Sequence, residues 1–195
     1  MTESKKEIQA KGALLVPLAL IINSVKGVDW VAEVNLTAEE LLMIRKGIFA
    51  SKWYDRDLME RMALGVFKVV SKKQPEGAYQ FGFGIMAETL LKIYRSSFMA
   101  AKPEEMLNKF VMLWNGTWFN SGKVEFSLTG KGSLVKMSDP AGIPCQTAFV
   151  PMMRGIVMRL LKENGVQNPG VTITEEPLVN QQKLFTLTLN ISWDK

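Results

Sequence analysis

Apolar side chains recur every three or four positions from about residue 37 to residue 117, which is the spacing that buries one face of a helix. Thr37 and Glu40 have the spacing of a capping box and predict a helix start. Asp55 is suited to cap a second helix, and Pro103 is suited to the first turn of a later one. The first half of the chain is therefore predicted to be largely helical.

After this helical region the period changes to two, as in a strand with one buried face. Residues 124–129 alternate in polarity and lead into Gly130-Lys131-Gly132, which is a turn sequence, so we expect a β-hairpin. A long helix is predicted over about residues 143–163, and Asn164-Gly165 is suited to end it. Two further strands close the chain, and the one that ends near Trp193 has the most regular alternation.

These elements predict an α+β fold in which an N-terminal helical layer packs on one face of a roughly four-stranded antiparallel sheet. No linker divides the chain, so we interpret residues 1–195 as a single domain with a flexible N-terminus at residues 1–7. The apolar run at residues 13–22 is shorter than the ~20 residues of a bilayer span. We interpret it as a core segment rather than a signal peptide, because Glu7 dilutes the positive charge before it and Pro17 interrupts it.

The composition excludes disordered and collagen-like chains, because 47% of the 195 residues are hydrophobic and 22% are charged. The net charge is +5, but the basic excess is spread over both halves of the chain. A nucleic-acid footprint normally gathers its basic residues in a stripe, so we disfavour nucleic-acid binding. The single cysteine fits a reducing compartment, and we expect a cytoplasmic protein without a membrane span.

The absence of histidine removes the usual general base and the histidine-ligated haem and zinc sites. Gly82 and Gly84 lack the preceding strand of a dinucleotide-binding turn, because we interpret residues 75–78 as a loop. We therefore interpret the two residues as glycines that allow a helix to start close to a neighbour. Ser133 and Lys136 have the Ser-x-x-Lys spacing of some serine acyltransferases and β-lactamases. On a predicted strand, however, residues three apart point to opposite faces, so the two side chains cannot act together. Cys145 has no histidine to activate it and is expected to be a buried or half-buried thiol. We predict no enzyme activity, no metal site and no cofactor.

Aromatic residues are the remaining candidates for a binding site. Trp114 and Trp118 stand four apart at the end of the fourth predicted helix, and Phe119 follows them directly. With Met152 and Met153 of the long helix, they are the candidate lining of an adaptable apolar pocket. Ordinary core packing is the alternative explanation of the same pattern.

The chain also resembles a family of uncharacterised proteins from myxobacteria and other deltaproteobacteria, which looks like a branch of the superfamily of haem-nitric-oxide-binding domains, 4-vinyl-reductase domains and TRAPP subunits. The resemblance covers about residues 8 to 194, and it rests on the order of elements and on four short segments: Lys11-Gly12-Ala13-Leu14-Leu15, Ser51-Lys52-Trp53-Tyr54-Asp55, Trp118-Phe119-Asn120-Ser121-Gly122-Lys123 and the strand Leu187 to Trp193. It implies an apolar cavity between helices and sheet and a role as a sensor or assembly module. The histidine of the haem-binding branch is missing, and so is the C-terminal cysteine cluster of the 4-vinyl-reductase branch.

We therefore predict a non-catalytic sensory or regulatory binding module that takes a small hydrophobic ligand. The alternative is a protein–protein interaction scaffold, which works as a homodimer or an adaptor and holds no ligand. Non-specific nucleic-acid binding through the surplus lysines is a third, less favoured hypothesis. The first hypothesis requires a site for an apolar molecule, whereas the second requires an exposed apolar surface.

Overall fold

The computed structural model describes residues 7–100, 102–130, 132–139, 146–176 and 185–193. Its helices are α1 (Gly12–Ser24), α2 (Trp30–Val34), α3 (Ala38–Lys46), α4 (Arg56–Val69), α5 (Pro75–Phe81), α6 (Ala87–Phe98), α7 (Pro103–Leu113) and α8 (Gln146–Glu163). Its strands are β1 (Gln9–Lys11), β2 (Trp53–Asp55), β3 (Lys123–Thr129), β4 (Gly132–Asp139), β5 (Gly170–Glu176) and β6 (Phe185–Ser192). The π-helical turn Gly82–Met86 joins α5 to α6, and a second one, Trp114–Trp118, extends α7.

The architecture is the predicted α+β arrangement. The main sheet has the strand order β3-β4-β6-β5, and every neighbouring pair is antiparallel. Alternate side chains bury one face of this sheet in the same hydrophobic cluster as the helices, and the buried hydrophobic ones are Val124, Val135, Met137, Val171, Leu189 and Ile191. The prediction of a helical layer on a roughly four-stranded sheet is confirmed.

Local capping signals are confirmed at the helix starts. The Thr37 amide donates to Glu40 Oε2 at 2.8 Å and the Glu40 amide donates to Thr37 Oγ1 at 3.1 Å, which completes a capping box. Asp55 Oδ1 accepts a hydrogen bond from the amide of Asp57 at the start of α4, and Pro103 occupies the first turn of α7. These signals act within a few residues, which explains why the sequence alone defines them.

The apolar segment near the N-terminus is a core segment, as predicted, and it is helical. Helix α1 is buried along most of its length and tolerates Pro17 in its interior. Its first two amides, those of Gly12 and Ala13, donate to the carbonyls of Lys52 and Ala50. The loop that follows α3 therefore provides the hydrogen-bond acceptors for the first backbone amides of α1.

A short antiparallel sheet formed by β1 and β2 was not predicted, because each strand has only three residues and shows no periodicity. The interpretation of residues 75–78 as a loop is wrong, since Pro75 opens α5. Gly82 and Gly84 do not start a helix, because they lie inside the continuous α5–α6 unit. A Cβ at Gly82 would collide with the backbone of Met152 on α8, whereas Gly84 has open space around it. The expectation of close packing is therefore right for Gly82 alone.

Side chains form hydrogen bonds with backbone groups of both outer strands of the sheet. Asn115 Nδ2 donates to the carbonyl of Val124 on β3 at 2.7 Å, and the Val124 amide donates to Asn115 Oδ1 at 2.7 Å. At the opposite edge, Arg154 Nε donates to the carbonyl of Val171 on β5 at 3.0 Å. Each outer strand therefore has a side-chain partner where the next strand of a larger sheet would lie.

Three predictions concern residues outside the described ranges. These are the environment of Cys145, the start of the long helix before Gln146, and the flexible N-terminus except for Glu7. Within the described residues, no helix is long and apolar enough to cross a bilayer.

Candidate functional site

The candidate site is built around the π-helical turn at the end of α7. The i→i+5 hydrogen bonding of a π turn accommodates an extra residue and is frequent at functional sites. Here the turn places both Trp114 and Trp118 in the interior, where they are 5% and 1% exposed. Both tryptophans therefore lie in the core, and their role in lining a ligand pocket stays a prediction.

Asn115 holds this turn against the sheet. Its side-chain amide exchanges two hydrogen bonds with the backbone of Val124, both 2.7 Å long. In an antiparallel sheet, the N–H and the C=O of one residue point to the same side of its strand. The Asn115 side chain therefore takes the place of one residue of a neighbouring strand. The position of the tryptophans is therefore coupled to β3.

The tryptophans belong to an aromatic cluster, which we define as Tyr94, Phe98, Phe110, Trp114, Trp118, Phe119 and Phe149. The Trp118 ring centroid lies 5.3 Å from that of Phe110 and 6.1 Å from that of Phe98. The Trp114 centroid lies 4.6 Å from that of Phe119 and 6.1 Å from that of Phe149 on α8. These tilted and edge-on arrangements are the ones that aromatic pairs prefer.

The structure thus brings three of the five sequence candidates together, since Trp114, Trp118 and Phe119 share ring contacts. Met152 and Met153 are fully buried on α8, one turn after Phe149. The backbone of Met152 faces Gly82 of the α5–α6 unit. The methionines therefore lie in the same core, and their role in ligand binding stays a prediction.

Sequence reasoning missed four members of the aromatic cluster, Tyr94, Phe98, Phe110 and Phe149. The first two are four apart on α6, and Phe110 is four residues before Trp114 on α7. Such spacing shows that side chains share a helical face, but it does not show which helices meet. Only the packing of α6, α7 and α8 identifies them as one group.

The indole N–H of Trp118 is the unusual polar group of the cluster. It is buried and makes no hydrogen bond of normal geometry in the described structure, although it lies close enough to the phenol of Tyr94 to interact with it. Tyr94, whose ring centroid lies 6.0 Å away, is half-buried and stands at a kink of α6 with φ −120° and ψ 30°. Burial raises the pKa of Tyr94 above its ordinary value of 10.0, and the Trp118 indole N–H partly offsets this shift because it favours the phenolate.

No protein-family model and no curated protein sequence matches the chain. Solved structures do match. An oxygen-binding H-NOX domain related to soluble guanylate cyclases, in its oxygen complex, has a TM-score of 0.59 at 12% identity, over 95% of each chain.

The fold is that of the H-NOX domains. A structure concerned with H-NOX activation gives a TM-score of 0.62 at 12% identity, covering 95% of this chain and 97% of that one. A variant H-NOX domain of T. tengcongensis gives 0.57 at 13% identity, over 94% of each chain. The relation to the haem-NO-binding fold implied by the sequence resemblance is therefore confirmed, and the similarity at this identity concerns the fold alone.

The residues present do not fit a histidine-held haem, the group that this fold family implies. The chain contains no histidine, so the imidazole ligand of the haem-binding branch is missing. Within the described residues, the interior next to the sheet carries the packed rings of the aromatic cluster. No group of three or more carboxylate or thiol side chains that could hold a metal lies within those residues.

Proposed function

We propose that this chain is a non-catalytic, cytoplasmic sensory module that uses the H-NOX fold to bind a small, mostly apolar molecule in place of haem. The proposed ligand is aromatic or aliphatic and carries one hydrogen-bond acceptor. It would lie among the rings of the aromatic cluster and accept from the indole N–H of Trp118. Trp114, Phe119, Met152 and Met153 are proposed to line the same site.

The unsatisfied indole of Trp118 is the observation that carries this proposal. Leaving a buried donor without a partner costs about 1–3 kcal/mol, and such groups are rare in native proteins. A ligand acceptor would remove this cost, so the protein gains more from binding a ketone or an ether than from binding a hydrocarbon of the same shape. The rest of the cluster supplies apolar contact.

Tyr94 supports a route from solvent to this donor. It belongs to the aromatic cluster but is only half-buried, whereas Trp118 is 1% exposed. The helical hydrogen-bond geometry is already interrupted at Tyr94, where the backbone leaves the helical region. Displacing this one side chain exposes the indole edge without unfolding α7. The kink therefore supports an entrance at α6.

Two probes of the same shape test the proposal. Acetophenone and α-methylstyrene differ only in a carbonyl oxygen against a methylene group, so a difference in their affinities reports the hydrogen bond. We expect wild-type protein to bind acetophenone about fivefold more tightly, from a net hydrogen bond of about 1 kcal/mol. Isothermal titration calorimetry measures both constants, and native mass spectrometry of the purified protein tests for a molecule already bound.

Trp118→Phe should abolish this preference while retaining the apolar contacts. Trp30→Phe is the matched control, because the Trp30 indole is also buried but donates to the carbonyl of Val25 at 3.4 Å. It should keep the wild-type preference. The proposal fails if wild-type protein binds neither probe, or if Trp118→Phe still prefers acetophenone.

A further inference from the structure

An open groove lies between the C-terminal half of α3 and the loop that leads to β2. Its volume is about 560 Å³, and its lining includes Leu42, Met43, Lys46, Phe49, Lys52 and Trp53. Three of these apolar side chains are exposed, with Leu42 at 52%, Phe49 at 61% and Trp53 at 38%. Single exposed apolar residues are ordinary, but several that share one groove indicate a contact surface.

The loop that presents Phe49 is fixed by hydrogen bonds. The Phe49 amide donates to Tyr54 Oη at 2.9 Å, and the Lys52 amide donates to the Phe49 carbonyl at 3.1 Å. The Lys52 carbonyl in turn accepts from the Gly12 amide at 2.8 Å. The exposed phenyl ring is therefore held out by the fold of its loop, which lowers the entropy cost of contacting a partner.

The groove is also electropositive. Lys52 Nζ lies 4.7 Å from the centroid of the Phe49 ring, and Lys11 Nζ lies 4.3 Å from that of Trp53. Lys46 is exposed and also lines the groove. Glu39 is the acidic residue of the lining. None of these three lysines forms a salt bridge within the described part of the chain, so their charges are available to a partner.

We infer that this groove docks an acidic, amphipathic peptide segment of another protein. Apolar side chains of the segment would enter between Leu42 and Phe49, and its carboxylates would meet the three lysines. A concave groove favours such a segment over a flat bilayer surface. A second copy of this chain is disfavoured, because each copy carries a net charge of +5. The surface uses no residue of the aromatic cluster, so this inference goes beyond the proposed function and does not depend on it.

A phage-displayed library of random peptides, selected on the full chain, provides the test. We expect the enriched peptides to combine acidic residues with apolar ones. Lys46→Glu with Lys52→Glu should weaken their binding about tenfold or more, because like charges would then face each other. Phe49→Ser should weaken it as well, and this residue is exposed enough that the fold should not depend on it.

Lys72→Glu with Lys73→Glu is the matched control, since both lysines are exposed on another loop and the change in net charge is identical. It should leave peptide binding within about twofold of wild type. Equal losses in the two double variants, or enriched peptides without net negative charge, would overturn the inference. Binding of phosphatidylserine vesicles that Lys46→Glu with Lys52→Glu abolishes would also overturn it, in favour of a membrane surface.

Discussion

The guanidinium of Arg56 and the carboxylate of Asp139 meet in the interior at 2.9 Å, although 83 residues separate them in sequence. Their side chains are 4% and 7% exposed. Ser121 Oγ donates to the same carboxylate oxygen at 3.0 Å, and Arg56 Nε also contacts Glu60 at 2.9 Å. The pair joins the first residue of α4 to the last residue of β4, and so fixes the helical layer to the sheet.

Asp139→Asn should destabilise the protein by about 3 kcal/mol, because it removes one of the carboxylates that pair with the buried Arg56 guanidinium. Glu60 still pairs with Arg56 in this variant, so the loss in the free energy of unfolding should lie at the lower end of the values found for broken buried ion pairs. Urea unfolding followed by circular dichroism measures the change. The control is Asp57→Asn, whose carboxylate is 69% exposed in its pair with Arg61 and whose loss should cost less than about 1 kcal/mol. Equal costs for the two variants would contradict the structural role of Asp139.

Gly82→Ala and Gly84→Ala should have opposite effects on stability, although the two residues lie in one π-helical turn. A Cβ at Gly82 meets the Met152 backbone, which cannot rotate away, so the expected cost is about 1–3 kcal/mol or more. A Cβ at Gly84 meets nothing within 4 Å, and alanine there should stabilise by about 0.5–1 kcal/mol. Thermal melting of the two variants decides the matter, and a lower melting temperature for both would show that the turn itself requires glycine.

Asn115→Ala should loosen β3 locally. It removes both hydrogen bonds to Val124, each of which contributes about 0.5–1.5 kcal/mol net, so the expected cost is about 1–3 kcal/mol. Hydrogen exchange of the Val124 amide should accelerate more than that of its neighbours in the hairpin. Asn108→Ala, an exposed position on α7, should leave this exchange rate unchanged. If Val124 exchanges at the wild-type rate in Asn115→Ala, the asparagine does not protect the strand.

Tyr94 should titrate above pH 10.0, because burial disfavours its phenolate. A raised pKa means that the folded state holds the proton more tightly. The corresponding stability is therefore complete below about pH 10 and is lost as the pH rises through the folded-state pKa.

Phenolate absorbance, assigned with Tyr94→Phe, measures this pKa. Trp118→Phe should raise it further, because the indole N–H that favours the phenolate is then missing. A lower pKa in Trp118→Phe would show that the indole does not face the phenol.

The features that the sequence predicts correctly are those that neighbouring residues determine. The capping box at Thr37, the hairpin around Gly130 and the end of α8 at Asn164-Gly165 depend on contacts within a few positions. Proline is ambiguous in this respect, because it both interrupts helices and begins them, and this ambiguity explains why the interpretation of residues 75–78 as a loop is wrong. The π turns have no local signature in composition, so their extra residue appears only in the structure.

The candidate site could be predicted only in part for a related reason. The spacing of Trp114 and Trp118 shows that they share a helical face, but the identity of their neighbours depends on how α6 and α8 pack against α7. Phe149, which lies more than thirty residues later in the sequence, joins them from α8. The unpartnered indole N–H has no sequence signal at all, since most buried tryptophans find an acceptor.

The side chains of Asn115 and Arg154 at the outer strands also bear on self-association. An open strand edge offers its amides and carbonyls to any other extended chain, which is how amyloid growth begins. At Val124 and Val171 these groups are already engaged, and an incoming chain must first displace a side chain of the protein itself. The sheet is thus protected against fibril formation at two points without a proline or a bulge.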